Sequence, residues 1–254
     1  MLYIYGVTRA GQKRPSIDGL GEPSGPVRLI DSGPVAAAVS EIPDDYVVHD
    51  EDARAHLQVL IGLLGDGPVL PVRLGTVAPD EAAVRQDVLD AARPQLIRGL
   101  DGVDGFVELH VDADDNEADS IAAIARALNL RPLDPTDFAA RIQLGEEIAN
   151  LLVDYRRELA EEMVAMLRPL SERDTARSSI NSAEDPLLRW AFLVARKDVP
   201  RFDQAIVAVR TKHPELSIRY AGPLPPSHFV DWQPAESPSE PTDSFQAQGA
   251  WGWN

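Results

Sequence analysis

The sequence predicts an α+β protein of two domains, and three observations carry that expectation. Short apolar strands and amphipathic helices run in the order strands, helix, strand, helix, strand through the first part of the chain, without the strict alternation that marks a parallel sheet. The acidic run DADDNEAD then interrupts the pattern. Beyond it lie one long helical stretch and a strand–strand–helix–strand succession. The expected division is 1–112, 113–232 and a disordered tail, 233–254. At 254 residues and 44% hydrophobic content, each folded part is long enough to bury a core.

Leu2–Val7 alternates as a strand, with Tyr3 and Tyr5 on one face and Leu2 and Ile4 on the other. TRAGQKRPSIDGLGEPSGP is a long Gly/Pro-rich loop, of a length usually associated with mobility or binding. Strands are predicted at Val27–Ile30 and Val35–Glu41 around the turn DSGP. IPDDYVVHDEDARAHLQVLIGLLGDG reads as a helix, with acidic residues at the positive end of its dipole and Gly65 as its stop. VLPVRLGTV reads as a buried strand, with Pro71 demanding an edge or a bulge. A helix follows from Pro79, carrying Val84, Val88, Ala91, Ala92 and Leu96 at helical spacing, and Pro94 must kink or split it. Gly105–Val111 is expected to close this first unit, an antiparallel sheet with helices on one face.

In the second part, Ser120–Leu128 is a short helix. DPTD then caps a long one, about 136–170, with the stripe Ile142, Ala149, Leu152, Tyr155, Leu159, Met163, Met166 and Leu170. A helix of this length spans ~45 Å, more than a small sheet covers, so one end is free to project or to meet a partner. Strands near Arg173–Ile180, Leu188–Ala195 and Leu216–Tyr220, with a helix from Pro200 to His213, fit a modified ferredoxin-like domain. The Pro/Ser/Glu-rich end, finishing in GAWGWN, reads as the disordered tail.

A formal net charge of −17, from 41 acidic and 24 basic residues, argues against nucleic acid and anionic lipid, which are bound by neutralising phosphates. The absence of cysteine excludes disulfides, thiolate metal sites and cysteine nucleophiles. MLYIYGV lacks a basic n-region, and no apolar run approaches the ~18–20 residues of a membrane span. A soluble, cytoplasmic protein without membrane contact is expected.

No G-x-S-x-G, G-x-G-x-x-G or P-loop is present, so no catalytic residue is nominated. His49, Asp52 and His56 fall on one helical face and are weak metal candidates against the plainer reading of a solvated helix start. Glu108, His110, Asp112, Asp114 and Asp115 form a second cluster, read as a junction loop; strand alternation puts Glu108 and His110 on one face. Arg73, inside an apolar strand, either pairs with an acid such as Glu108 or faces a partner chain past Gly75 and Thr76. In RYAGPLPPSHFV, the prolines following Gly222 (Pro223, Pro225 and Pro226) cannot continue a ladder and form a stiff extended segment. That segment either accepts a partner at small entropic cost or pins Phe229 and Trp232 back onto the C-terminal core as a clasp.

Taken together, YIYGV, IDG, VAAAVSEIP, AHLQVL, VLPVRLGTV, FLVARKDVPRFDQAI and AGPLPPSHF, in this order and spacing, resemble the gas vesicle protein GvpL/GvpF family, from Leu2 to about Trp232. The sequence departs from the family pattern with Leu74 for a Phe, Leu224 for an aromatic, His228 for a Tyr, and Pro94 inside a helix. The resemblance implies two α+β domains, the second modified ferredoxin-like, and no enzymatic activity. It also implies a cytoplasmic accessory or minor structural protein of gas vesicles, contacting the apolar shell protein and other accessory proteins. Arg73, Gly75, Thr76, Gly222, Pro223, Pro225, Pro226 and Phe229 are the expected partner-binding residues, and no cofactor is expected. The alternative is a small-molecule-binding regulatory protein with its ligand at the domain junction; a metal-dependent hydrolase using His49, Asp52 and His56 is the third reading.

Overall fold

The computed structural model of the protein describes residues 1–21, 24–127, 138–182 and 185–232. The first strand, β1 (Leu2–Arg9), is buried along all but its last residue because it has neighbours on both sides. It pairs antiparallel with β3 (Val35–Glu41), which in turn pairs with β2 (Arg28–Ser32). Its other edge takes β4 (Val69–Pro71) and β5 (Val77–Ala78). VLPVRLGTV is therefore two short strands and not one. A turn between them sets Gly75 at φ +87° and closes with Thr76 N–H donating to the Arg73 carbonyl at 3.2 Å. Pro71 lies in a strand at the sheet edge, where its missing donor is tolerated.

Alternation along β1 divides the core. Tyr3 and Tyr5 pack with Leu60 and Leu63 of α1 (Asp52–Leu64). Leu2, Ile4 and Val7 pack on the other face, with the helical segments that follow β5. These are α2 (Glu81–Ala83), which continues in π-type geometry over Val84–Asp90, and α3 (Arg93–Val103). Helices thus cover both faces of the first sheet, contrary to expectation, because β1 and β3 are apolar on both faces. Pro94 does split the predicted helix, sitting in the first turn of α3 where no donor is needed. The helix predicted from Ile42 begins only at Asp52: Tyr46 N–H bonds to the Pro43 carbonyl in a separate turn, and the Asp52 carboxylate accepts from Tyr46 Oη and His49 N–H. The long loop after β1 is strapped down: Gln12 Nε2 donates to the Leu63 carbonyl at 2.8 Å, and Leu20 N–H donates to Tyr5 Oη at 2.6 Å.

The strand expected to close the first unit belongs elsewhere. β6 (Phe106–Asp114) lies inside the second sheet, between β8 (Leu188–Ala195) and β9 (Ser217–Leu224), with β7 (Arg173–Ala176) beyond β8. With β6 included, the order β7-β8-β6-β9 and the helices α4 (Glu117–Ala127), α5 (Phe138–Leu167) and α6 (Val199–Lys212) complete a β-α-β-β-α-β ferredoxin-like arrangement elaborated by the long α5. Nearness in sequence misplaced β6; its Val107, Leu109 and Val111 pack with Met163, Leu167, Phe192 and Phe202. Three of the five acids of DADDNEAD are matched by arginines, Asp112 with Arg177, Asp114 with Arg219 and Asp115 with the buried Arg156.

Along α5, the predicted stripe is buried only in its second half, at Leu152, Leu159 and Met163, while Ile142 is 49% exposed. The predicted DPTD cap and the tail, including WGW, lie outside the described residues. β9 runs further than predicted, past Pro223 to Leu224: the register shifts between Glu108 and His110, so Gly222 and Pro223 are bulged out and Leu224 pairs again. An edge position makes that possible. Gly222 has φ +151° across a cis bond to Pro223, and a Cβ there would stand 2.5 Å from Leu109 Cδ2.

Candidate functional site: a groove between the two sheets

The two sheets share one apolar cluster, in which Tyr3, Leu60 and Leu63 are continuous with Leu109, Met163 and Phe192. Where α1 leans over β6 and β9, a cavity of about 410 Å³ opens. Leu57 and Leu60 of α1, Pro71 of β4, and Ala221, Leu224 and Pro225 give it apolar walls; His110, Asp112, Arg177, Arg219 and Ser227 supply the polar ones. The proline-rich exit from β9 is therefore a wall of this groove. Pro225 and Pro226 are buried, and Gly222 and Pro223 are exposed on the bulge. Leu224 and Pro225 line the groove together with Pro71. Arg73, Gly75 and Thr76 do not line it.

Each of those three residues has its own place. Gly75 N–H donates to Tyr3 Oη at 3.1 Å, and Thr76 Oγ1 donates to the Arg73 carbonyl at 2.7 Å, so both build the turn. The Arg73 side chain is exposed beside them, and the expected pairing with Glu108 is not formed: Glu108 takes two histidines instead. Phe229 is not open to a partner. It is buried against Ala191, Leu193 and Phe106, with the Arg173 guanidinium 5.3 Å above its ring. Val230 and Trp232 pack on the α3 side of the first sheet and not, as expected for Trp232, on the C-terminal core, so the segment runs as a clasp from one sheet to the other.

The weak metal candidates separate. His56 is fully buried and its Nδ1 meets Tyr3 Oη at 2.8 Å, whereas His49 is exposed at the surface, 4.0 Å from Asp52. Burial pushes the His56 pKa down to about 4, keeping the ring neutral. A different cluster has formed at the base of the groove. Glu108 is fully buried and His110 Nε2 contacts its Oε1. His228 Nδ1 lies 2.6 Å from the same oxygen, while the His228 backbone N–H donates to Oε2 at 2.9 Å. Burial by itself would push the Glu108 carboxyl up, but the hydrogen bonds from His110 and His228 hold it down at about 2. Alternation already placed Glu108 beside His110; His228 lies 120 residues from Glu108 and no spacing rule links them.

Comparisons with known proteins agree with this architecture. The family model described as "Gas vesicle synthesis protein GvpL/GvpF" matches residues 1–231. The chain is 32% identical over 241 residues to gas vesicle protein F of Streptomyces sp. (strain CB03234), covering 90% of this chain and 99% of that one. It is 28% identical over 240 residues to gas vesicle protein F1 of Halobacterium salinarum, covering 91% and 92%. The crystal structure of GvpF from Anabaena sp. PCC7120 superposes with a TM-score of 0.77 at 21% identity, covering 91% of this chain and 96% of that one. GvpF from Microcystis aeruginosa superposes with a TM-score of 0.73 at 17% identity, over 91% and 99%. Among the described residues no helix is long and apolar enough to cross a membrane.

Proposed function

The chain belongs to the gas vesicle synthesis protein GvpL/GvpF family, and from that premise we propose that it takes part in gas vesicle assembly by binding the apolar shell protein and other gas vesicle proteins. The groove carries this reading. Its apolar walls at Leu57, Leu60, Leu224 and Pro225 suit the anchor side chains of an amphipathic segment, and its charged rim favours polar groups on either side. Prolines hold one wall in place before a partner arrives, so little entropy is lost on docking. An acidic exterior keeps the complex in solution while the shell subunit's apolar surface is covered. Binding is the whole of the task; no bond is made or broken at the groove.

Arg73 and the exposed Gly222–Pro223 bulge are proposed as flanking contacts, and the exposed half of α5 as a surface for accessory proteins. The test is capture of tagged shell protein by purified variants. Leu57→Asp with Leu224→Asp is expected to reduce capture at least tenfold, and Arg73→Glu to reduce it less. Undiminished capture by folded double variant removes the groove from the contact surface. A bound small molecule is the second reading, favoured by a cavity volume within the usual ligand range; native mass spectrometry of the purified chain distinguishes it by an added mass.

A further inference from the structure

We propose that Glu108, His110 and His228 form a binding site for a zinc-like divalent ion, which fastens the C-terminal segment to β6 beneath the groove. The three side chains offer one carboxylate oxygen and two imidazole nitrogens, all within 4.8 Å of one another. Two histidines with one glutamate are a familiar donor set for zinc, and three protein ligands leave a fourth position open. His110 and Ser227 both line the groove, so that position faces it and can take water or a donor from a bound partner.

The ligands are held as a built site and not as a chance surface cluster. Glu108 is fully buried, and the side chains of His110 and His228 are 13% and 23% exposed. Both imidazoles converge on Glu108 Oε1, while Oε2 is occupied by the His228 backbone N–H at 2.9 Å, which fixes the plane of the carboxylate. Outer contacts of this kind orient metal ligands. His228 Nδ1 and Oε1 are 2.6 Å apart in the hydrogen-bonded form. Metal–donor bonds of about 2.0–2.1 Å in a tetrahedral site require the donors to spread by roughly 1 Å. Rotation of the two rings supplies that movement, since neither is fully enclosed. β6 contributes two ligands and the segment after β9 the third, so the ion ties together strands far apart in sequence.

The test uses the full chain, stripped with a chelator and titrated with cobalt(II) as a spectroscopic stand-in for zinc. One equivalent is expected to produce the intense visible absorption of a four-coordinate ion, which zinc then displaces. His228→Ala and His110→Gln, the latter putting an amide nitrogen in the place of Nε2 so that a hydrogen bond to Glu108 is kept, are expected to weaken binding by at least the ~10–100-fold that follows loss of an outer-shell partner. His49→Ala is expected to bind as the parent does. Weak, non-stoichiometric uptake by the parent, or equal affinity in the folded variants, overturns the proposal. Should either variant fail to fold, nitrogen spectra of the parent's histidine rings decide: zinc must move the signals of His110 and His228, and unmoved rings overturn the site.

Discussion

Among single residues, His56 shows how one buried group ties stability to acidity. Its imidazole is fully enclosed between Tyr3 and Tyr5, with ring centroids 5.6 and 5.5 Å away. Its pKa in the folded chain, about 4, lies below the 6.5 of an exposed histidine. A proton therefore binds the unfolded chain more readily, and the stabilisation is fully present above pH 6.5 and lost as the pH falls through 4. Denaturant titrations are expected to show about 2 kcal/mol less stability at pH 5 than at pH 7 from this group. His56→Gln is expected to flatten that part of the profile; an unchanged difference would show that other groups control it. The sequence placed His56 on a polar helix face with His49 and Asp52. Contact with Tyr3, 53 residues away, sends it into the core instead.

Among elements, the stretch from β9 to Trp232 shows two demands met by one segment. Its bulge at Gly222 and Pro223 lets an edge strand tolerate proline, and its buried Pro225 and Pro226 form a groove wall. Phe229 then locks it down on β8, through contacts with Ala191 and Leu193. Phe229→Ala is expected to cost about 3 kcal/mol and to expose the segment to limited proteolysis after residue 220. Parent-like protease resistance would show that Trp232 and the Glu108–His228 contacts suffice as the clasp. Composition alone made this segment stiff, but whether its aromatic faced inward depended on a hydrophobic slot between β8 and Phe106 that no local pattern describes. The same holds for α5, whose apolar stripe was readable at full length although the second sheet covers only its C-terminal half.

For the whole molecule, the two sheets are joined by more than the connecting chain. Their cores are continuous, Arg196 of the second part hydrogen-bonds the Leu64 carbonyl at the end of α1, and Val230 and Trp232 return to the first sheet. Scanning calorimetry of residues 1–232 is accordingly expected to give one transition, with calorimetric and van't Hoff enthalpies in agreement. Two separated transitions would mean that the shared core contributes little, and that the groove between the sheets can open without either unfolding. On the function proposed above, a groove supported on both sides would receive an apolar partner without changing shape itself.

Local alternation, proline punctuation and helical spacing were enough to establish the α+β class, most strands, a kink or split at Pro94 and the family resemblance, because each is a property of neighbouring residues. Pairing is not. That β6 sits between β8 and β9, that helices cover both faces of the first sheet, and that Glu108 meets His228 were decided only when distant segments packed. The physical reason is that burying apolar area is non-directional: the pattern on a strand says that a face must be covered, and tertiary packing alone chooses what covers it.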